Sequence, residues 1–406
     1  MNKGLAAVKK TVIRVLCIIM VSAIAVHAGS ARAEIQVQTT LLEDLGSWRS
    51  FAHDINNAGQ IVGYGYLVPG LRHAFSWENG ALTDLGPTLA YGINNAGQIV
   101  LMSSTKAYIV QGETRIDIGS LGAGVIAANA MSDSGQVVGI SYLPNYLAHA
   151  FLWQDGIMID LGALSDSSRS EAKAINNAGQ IVGWSESDEG TRAFLWENGK
   201  MISLGTLGGN YSEARGINDK GQVVGFSQNS LGETHAFIWQ DGRMTDLDPL
   251  DPTRPSMAYS INNQGQTVGS LGYIAAIWQY GTMDLLLPGG YYDFSDAYSI
   301  NENGQVVGHK AYHAVLWTVT SSFDQLKTLA ALLAGADMPD AIARDLQDRL
   351  DRTIKFLDAG NNNAACGNLT GFINEVRGVS GKQIPEDQAD QILSSAQMVE
   401  DALQCR

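Results

Sequence analysis

The chain has 406 residues, a formal net charge of −15, 45 glycines, 9 prolines and only 17% charged residues. Glycine without a G-X-Y period excludes collagen, and 45% apolar residues exclude a disordered chain. The negative charge argues against nucleic acid or an anionic membrane surface as partner, and the length fits two or three domains or one large β domain with an appendage.

The first residues read as a targeting segment. Lys3, Lys9, Lys10 and Arg14 form a basic start, residues 15–28 an apolar run, and Ala31-Arg32-Ala33 a small-x-small cleavage site. A membrane span needs about 20 apolar residues, so a cleaved signal peptide over 1–33 is expected rather than an anchor. Cleavage takes five of the 26 positive residues and none of the 41 acids, which leaves −20. The expected location is secreted or cell surface, with no membrane span in the mature chain. Cys17 leaves with the segment. Cys366 and Cys405 remain, an even pair in an exported protein, and a disulfide is expected. Two cysteines without nearby histidines are too few for a metal site.

Residues 34–320 are built from repeats. The unit I-N-N-A-G-Q-I-V-G begins at Ile55, Ile93, Met131, Ile175, Ile217, Ile261 and Ile300, at spacings of 38 to 44 residues. H-A-F-x-W follows, whole at 73–77, 149–153 and 235–239, and then D-L-G, as at 84–86 and 160–162. Each unit predicts four short strands: A-x-x-I, a turn ending G-Q, Q-I-V-G-x, then A-F-x-W leading through N-G or D-G into the D-L-G strand. Four strands per roughly 40 residues fit a propeller blade better than a solenoid rung, which is shorter. The last unit lacks a D-L-G, while Asp44-Leu45-Gly46 precedes the first. The phase therefore predicts a mainly β, seven-bladed propeller closed by the N-terminal strand.

These motifs resemble the HAF family of probable extracellular repeats, over about residues 41–317. The resemblance implies a bacterial exported protein and brings no defined activity. The second unit departs most, with Lys106-Ala107-Tyr108-Ile109-Val110 in place of H-A-F-x-W.

Residues 321–406 change character. Ile342, Leu346, Leu350, Ile354 and Leu357 fall at helical spacing, as do Leu369, Phe372, Ile373 and Val376, and then Ala389, Ile392, Leu393, Ala396, Val399 and Leu403. A three-helix bundle follows, with Pro339 and Pro385 at first helical positions and Cys366 and Cys405 at helix ends that antiparallel packing brings together. Ala364-Ala365-Cys366, Leu369, Phe372-Ile373-Asn374, Val376 and Gln388-Ala389-Asp390 resemble the FIMAH domain of secreted bacterial proteins. That resemblance implies an extracellular accessory domain without catalytic residues.

In an up-and-down blade the tight G-Q and N-G turns share one face, and the long loops share the other. Such loops on a rigid scaffold carry binding. Tyr142, Tyr146, Trp184, Tyr211, Tyr291, Tyr292 and Phe294 lie in or beside them. One column varies among small neighbours, two residues before the central Ile or Met: His53, Tyr91, Asn129, Lys173, Arg215, Tyr259 and Tyr298. These are expected to ring the channel mouth on the long-loop face, where the two cations suit an anionic sugar or peptide carboxylate. The alternative is that they fill space between blades.

No catalytic, metal or cofactor site is predicted. His73, His149, His235 and His313 share one repeat column and read as structural. Asp166, Glu186, Asp188 and Glu189 follow no calcium-loop spacing and read as solvated. The sequence therefore favours an exported binding protein for a glycan or an extracellular protein. The alternative is a carbohydrate-active enzyme using the same face.

Overall fold

The computed structural model describes residues 35–406 except 43–45, 47, 48, 69, 105, 249–253, 280, 281, 287–293, 359, 360, 404 and 406. The expected signal peptide, and Asp44, Leu45, Tyr291 and Tyr292, lie outside the described residues.

The repeats form antiparallel four-stranded sheets in up-and-down order. In the first repeat the strands are Ser50–Ile55, Ile61–Val68, Leu71–Glu78 and Ala81–Gly86, each paired to the next. Five sheets stand separately, and an eight-stranded sheet joins the fourth and fifth repeats through a single parallel bridge, Thr191 to Tyr211. The second strands carry apolar doublets such as Ile61-Val62, both fully buried, because each side chain of the doublet enters a different neighbour-facing layer. The core accordingly lies between sheets. Ala52, Ile55, Ile61 and Phe75 of the first repeat pack with Val307, Ala314 and Leu316 of the seventh, and Val138 and Leu152 of the third with Ile181 and Phe194 of the fourth. This is a β-propeller with four-stranded blades.

The sheet of the seventh repeat is completed from the N-terminus, but not by the segment the motif suggested. The strand Ile35–Leu41 pairs antiparallel with His313–Ser321. Leu42 N–H donates to the Ala314 carbonyl, the bond that Leu161 makes to Ala150 and Leu204 to Ala193. Leu42 therefore occupies the leucine column of D-L-G, upstream of Asp44-Leu45-Gly46. Backbone pairing sets the register, and Leu41 stands in the aspartate column.

The recurring turn has a physical reason within each repeat. Asn56 Oδ1 accepts from the Ala58 and Gln60 N–H groups at 3.1 and 3.0 Å, and its Nδ2 donates to the Asn94 carbonyl of the next sheet at 3.1 Å. The next residue extends the link. Asn57 N–H donates to Asn95 Oδ1, and the same bond recurs through Asp133, Asn177, Asp219, Asn263 and Glu302, whose own N–H returns to Asn57 Oδ1.

A β-bulge interrupts the first strand of every repeat at the variable column. The register shifts between Ala52 and Asp54, Ala90 and Gly92, Ala128 and Ala130, Ala172 and Ala174, Ala214 and Gly216, Ala258 and Ser260, and Ala297 and Ser299. The bulge drives a carbonyl against the opposite strand, where I-V-G places its glycine. A Cβ on Gly183 would collide with the Glu171 carbonyl oxygen. The second repeat carries Leu101 there, and its first strand, Leu89–Ile93, begins at the residue that owns the carbonyl.

The C-terminal segment holds four helices, not three: α1 (Ser322–Gly335), α2 (Asp340–Asp358), α3 (Asn362–Val379) and α4 (Glu386–Ala402). The additional α1 contributes Leu326, Leu329 and Leu333 to the one core that the three expected stripes share. Pro339 and Pro385 sit one residue before α2 and α4, and their carbonyls accept the first helical bonds from Ala343 and Ala389. Cys366 and Cys405 are disulfide-bonded with Cα atoms 5.4 Å apart. Among the described residues no helix is long and apolar enough to cross a membrane.

Candidate functional site

The seven variable residues come together. His53, Tyr91, Asn129, Lys173, Arg215, Tyr259 and Tyr298 all line a cavity of about 290 Å³. Each is the extra residue of its bulge, which is how a strand edge aims every one of them at the axis. All seven are half-buried. The lining continues through Asn56, Asn94, Asn176 and their partners to the exposed Asn57, Asn95, Asp133, Asn177 and Asp219. The cavity thus opens on the tight-turn face, and the variable side chains form its floor. Their expected place at the long-loop mouth is corrected: the column lies midway along the strand, as His53 does in Ser50–Ile55 and Lys173 in Ser170–Ile175.

Aromatic packing makes half of the floor. His53 stacks on Tyr64 and Tyr298 at 5.2 and 5.3 Å and meets Tyr91 edge-on at 5.0 Å, and Tyr298 stacks on His309 at 5.6 Å. Burial, with the nearby His309, pushes the His53 imidazole down to about 4. Burial also pushes the Tyr64 hydroxyl up to about 12, and those of Tyr91, Tyr259 and Tyr298 upward. These groups are neutral at ordinary pH.

The other half is polar and internally paired. Lys173 Nζ lies 2.5 Å from Glu171 Oε1, which also accepts from Asn129 Nδ2 at 2.9 Å, while Trp184 Nε1 donates to Glu171 Oε2 at 3.1 Å. Arg215 Nε stands 2.8 Å from Glu213 Oε1, an ion pair by distance without hydrogen-bond angles, and Tyr211 OH donates to Glu213 Oε2 at 2.8 Å. The expected pair of bare cations is therefore not what the floor presents. Half-buried charges are held where a partner offsets their desolvation, and each cation has its own carboxylate. Trp184 and Tyr211, expected among the loops, turn inward to these carboxylates.

Two features were not expected from the sequence. The column two residues before each floor residue reads Phe51, Leu89, Ala127, Glu171, Glu213, Met257 and Asp296, so glutamate appears where the floor carries a cation. Comparing those columns would have shown the pairing. Asp54 is the sole acid in a column otherwise reading Gly92, Ala130, Ala174, Gly216, Ser260 and Ser299. Its Oδ1 accepts from Ser299 Oγ at 2.7 Å and Ile55 N–H at 2.9 Å, and its Oδ2 from Ile93 N–H at 2.9 Å. Burial outweighs these donors and pushes the carboxyl up to about 6.

The repeated histidines bridge strands. His73, His149 and His235 meet Asp84, Asp160 and Asp246 through Nδ1 at 2.9, 2.8 and 2.7 Å, and Lys106 meets Asp117 in the second repeat at 2.8 Å. The same aspartates accept a following backbone N–H, as Asp84 does from Gly86. That explains D-L-G as a turn lock.

The chain matches no family model and no curated protein. The HAF and FIMAH resemblances rest on the quoted motifs alone. Solved structures similar in shape include a streptogramin B lyase (TM-score 0.49, 10% identity, 71% of this chain and 98% of that one). A gluconolactonase from Xanthomonas campestris scores 0.39 at 10% identity over 70% of this chain and 90% of its own, and YCF48 bound to D1 peptide scores 0.42 at 12% over 69% and 95%. No residue role or activity passes from them to this chain.

Proposed function

We propose that the chain is an exported, seven-bladed propeller, one blade per repeat, whose role is recognition of a glycan or an extracellular protein. The observation that carries this reading is the convergence of the seven bulge residues on one cavity. Their column varies among otherwise similar repeats and stays polar or aromatic throughout, as a tuned contact surface requires. Lys173 and Arg215 are offset by Glu171 and Glu213, so the wall offers tyrosine rings, tyrosine hydroxyls and asparagine amides. A concave site with a few fixed polar groups suits a neutral polar ligand such as a sugar. The loop-rich face supplies a second contact surface, and the HAF and FIMAH resemblances support export.

The test is a glycan array and a secreted-protein capture with the full chain, followed by a turnover assay on every hit. Retention without product is expected. Tyr91→Phe with Tyr298→Phe removes two hydroxyls and keeps the rings, and should weaken a glycan hit about tenfold, the usual scale for a couple of lost hydrogen bonds. Retention of nothing would sink the reading. Asp54 favours the alternative, a carbohydrate-active enzyme, because it is a singular wall carboxyl near 6, the range in which a general acid works. Product formation that Asp54→Asn abolishes would establish that alternative instead.

A further inference from the structure

Nine non-glycine residues have positive φ among the described residues. Four of them, Asn79, Asp155, Asn198 and Asp241, begin N-G or D-G hairpin turns, where this conformation is ordinary. Of the remaining five, three are tyrosines: Tyr146 at 62°, Tyr273 at 75° and Tyr312 at 71°. A bulky ring on a left-handed backbone is a strained choice that glycine would relieve. All three stand at the tip between a second and a third strand, on the long-loop face. All three expose their rings to solvent, at 75%, 69% and 43%. Burial in a core therefore does not explain them.

Two of these tips join a continuous strip. The hairpins Leu271 to Ile274 and Lys310 to His313 each turn through two residues, Gly-Tyr and Ala-Tyr. Ser295 N–H donates to the Tyr273 carbonyl, Ala311 N–H to that of Phe294, Ser50 N–H to that of Tyr312, and Tyr66 N–H to that of Arg49, at 2.8 to 3.0 Å. Along this backbone track Tyr273 meets Phe294 edge-on at 5.8 Å, and Phe294 is 50% exposed. The Arg49 guanidinium lies 4.3 Å over the Tyr312 ring, and that of Arg72 lies 6.0 Å from the Tyr66 ring.

We propose that this strip, from Tyr273 through Phe294, Tyr312 and Arg49 to Tyr66 and Arg72, binds an acidic polysaccharide. Aromatic faces carry negative charge density and take the C–H face of a pyranose ring. Planar guanidinium groups take carboxylates in two-pronged bonds. A track with both suits a carboxylate-bearing sugar polymer. Because a chain of net charge −15 repels polyanions over most of its surface, the attraction comes from the two arginines alone. The proposal rests on the recognition role above but uses a different face from the channel cavity.

The experiment uses the full chain with polygalacturonate, the same polymer with its carboxylates methyl-esterified, and a single-stranded oligonucleotide as the competing polyanion. Polygalacturonate should be retained, the esterified polymer about tenfold less, and the oligonucleotide least. The variant Tyr273→Gly with Tyr312→Gly should lose polygalacturonate at least tenfold while its melting temperature rises, because the strain leaves with the rings. Tyr312→Phe should bind as the wild type does. Unchanged retention by the glycine variant, a fall in its melting temperature, equal retention of the esterified polymer, or preference for the oligonucleotide would each overturn the proposal. Failure of the full chain to retain polygalacturonate overturns this site, while an array hit that Tyr91→Phe with Tyr298→Phe weakens and the glycine variant keeps leaves the recognition role standing.

Discussion

Burial in the channel wall pushes the Asp54 carboxyl up from 3.8 to about 6 and its neighbour, the His53 imidazole, down from 6.5 to about 4. The two effects act on stability with opposite sign. The folded chain holds the Asp54 proton more tightly than the unfolded chain, so that contribution is full below about pH 4 and is lost as pH rises through 6. The folded chain holds the His53 proton less tightly, so that contribution is full above pH 6.5 and is lost as pH falls through 4. Across the shared window they nearly cancel. His53→Tyr, the residue three other repeats use, should uncover a stability that falls with rising pH. Asp54→Asn should uncover one that rises. Each slope should amount to roughly 2 kcal/mol between pH 4 and 6.5, because a tenfold change in proton affinity corresponds to about 1.4 kcal/mol. His309, also pushed down by burial, is present in all three proteins; its interaction with His53 is kept in Asp54→Asn and lost in His53→Tyr, so the Asp54→Asn slope is the cleaner of the two. Urea titrations at half-unit steps of pH decide it, and identical slopes in all three would show that neither group titrates in the fold. The sequence displayed His53 as a variable column because its neighbours are monotonous. It did not display Asp54, whose meaning depends on Ser299, 245 residues away in the chain.

At the scale of the strand, the bulge and its glycine form one device. Gly183 lacks room for any Cβ, because the Glu171 carbonyl occupies the space, whereas Gly199 has a φ of +78° and open surroundings. Gly183→Ala should cost on the order of 3 kcal/mol through overpacking against backbone, and Gly199→Ala about 1 kcal/mol through local strain. Equal losses in denaturant titrations would show that turn geometry, not the close approach, selects the glycines. The four strands of each repeat were legible because alternation, N-G turns and the Asn-capped turn are all local signals. The bulge was not, since one extra residue leaves no mark on period-2 alternation when its neighbours are alanines. The closing strand was misplaced by a few residues for a related reason. Ile35–Leu41 carries none of the D-L-G residues and is fixed only by its partner strand and by Leu42. Helix α1 was missed because Leu326, Leu329 and Leu333 follow a strand directly, with no proline or glycine to mark the change.

At the scale of the whole molecule, the closing strand joins the two ends of the repeat array. Without it His313–Ser321 would present an unpaired edge, and the seventh sheet would lose the packing of Ile35, Val37 and Leu42. One buried side chain at roughly 2 kcal/mol and two half-buried ones at roughly 1 kcal/mol each suggest a loss of about 4 kcal/mol, before any cost of the open edge. The link on the inner side is different in kind. Asn301 Nδ2 donates to the Asn56 carbonyl, Asn303 Nδ2 to that of Asn57, and Ser299 Oγ to Asp54, so the first and seventh repeats stay joined at the channel when the outer strand goes. A chain beginning at residue 43 should therefore keep its far-ultraviolet strand signal. It should melt well below a chain beginning at residue 34, and it should associate as concentration rises, because an open edge pairs with a second copy. A peptide of residues 34–42 added in trans should restore both the melting temperature and the monomer, since it replaces the strand and covers the edge. The partner-sized control is the Cys366→Ser, Cys405→Ser variant. It should weaken the helical segment by about 4 kcal/mol on the chain-entropy account of a loop spanning 39 residues, and leave the association behaviour unchanged. A truncated chain that stays monomeric at the full melting temperature would mean that the inner bonds alone close the array.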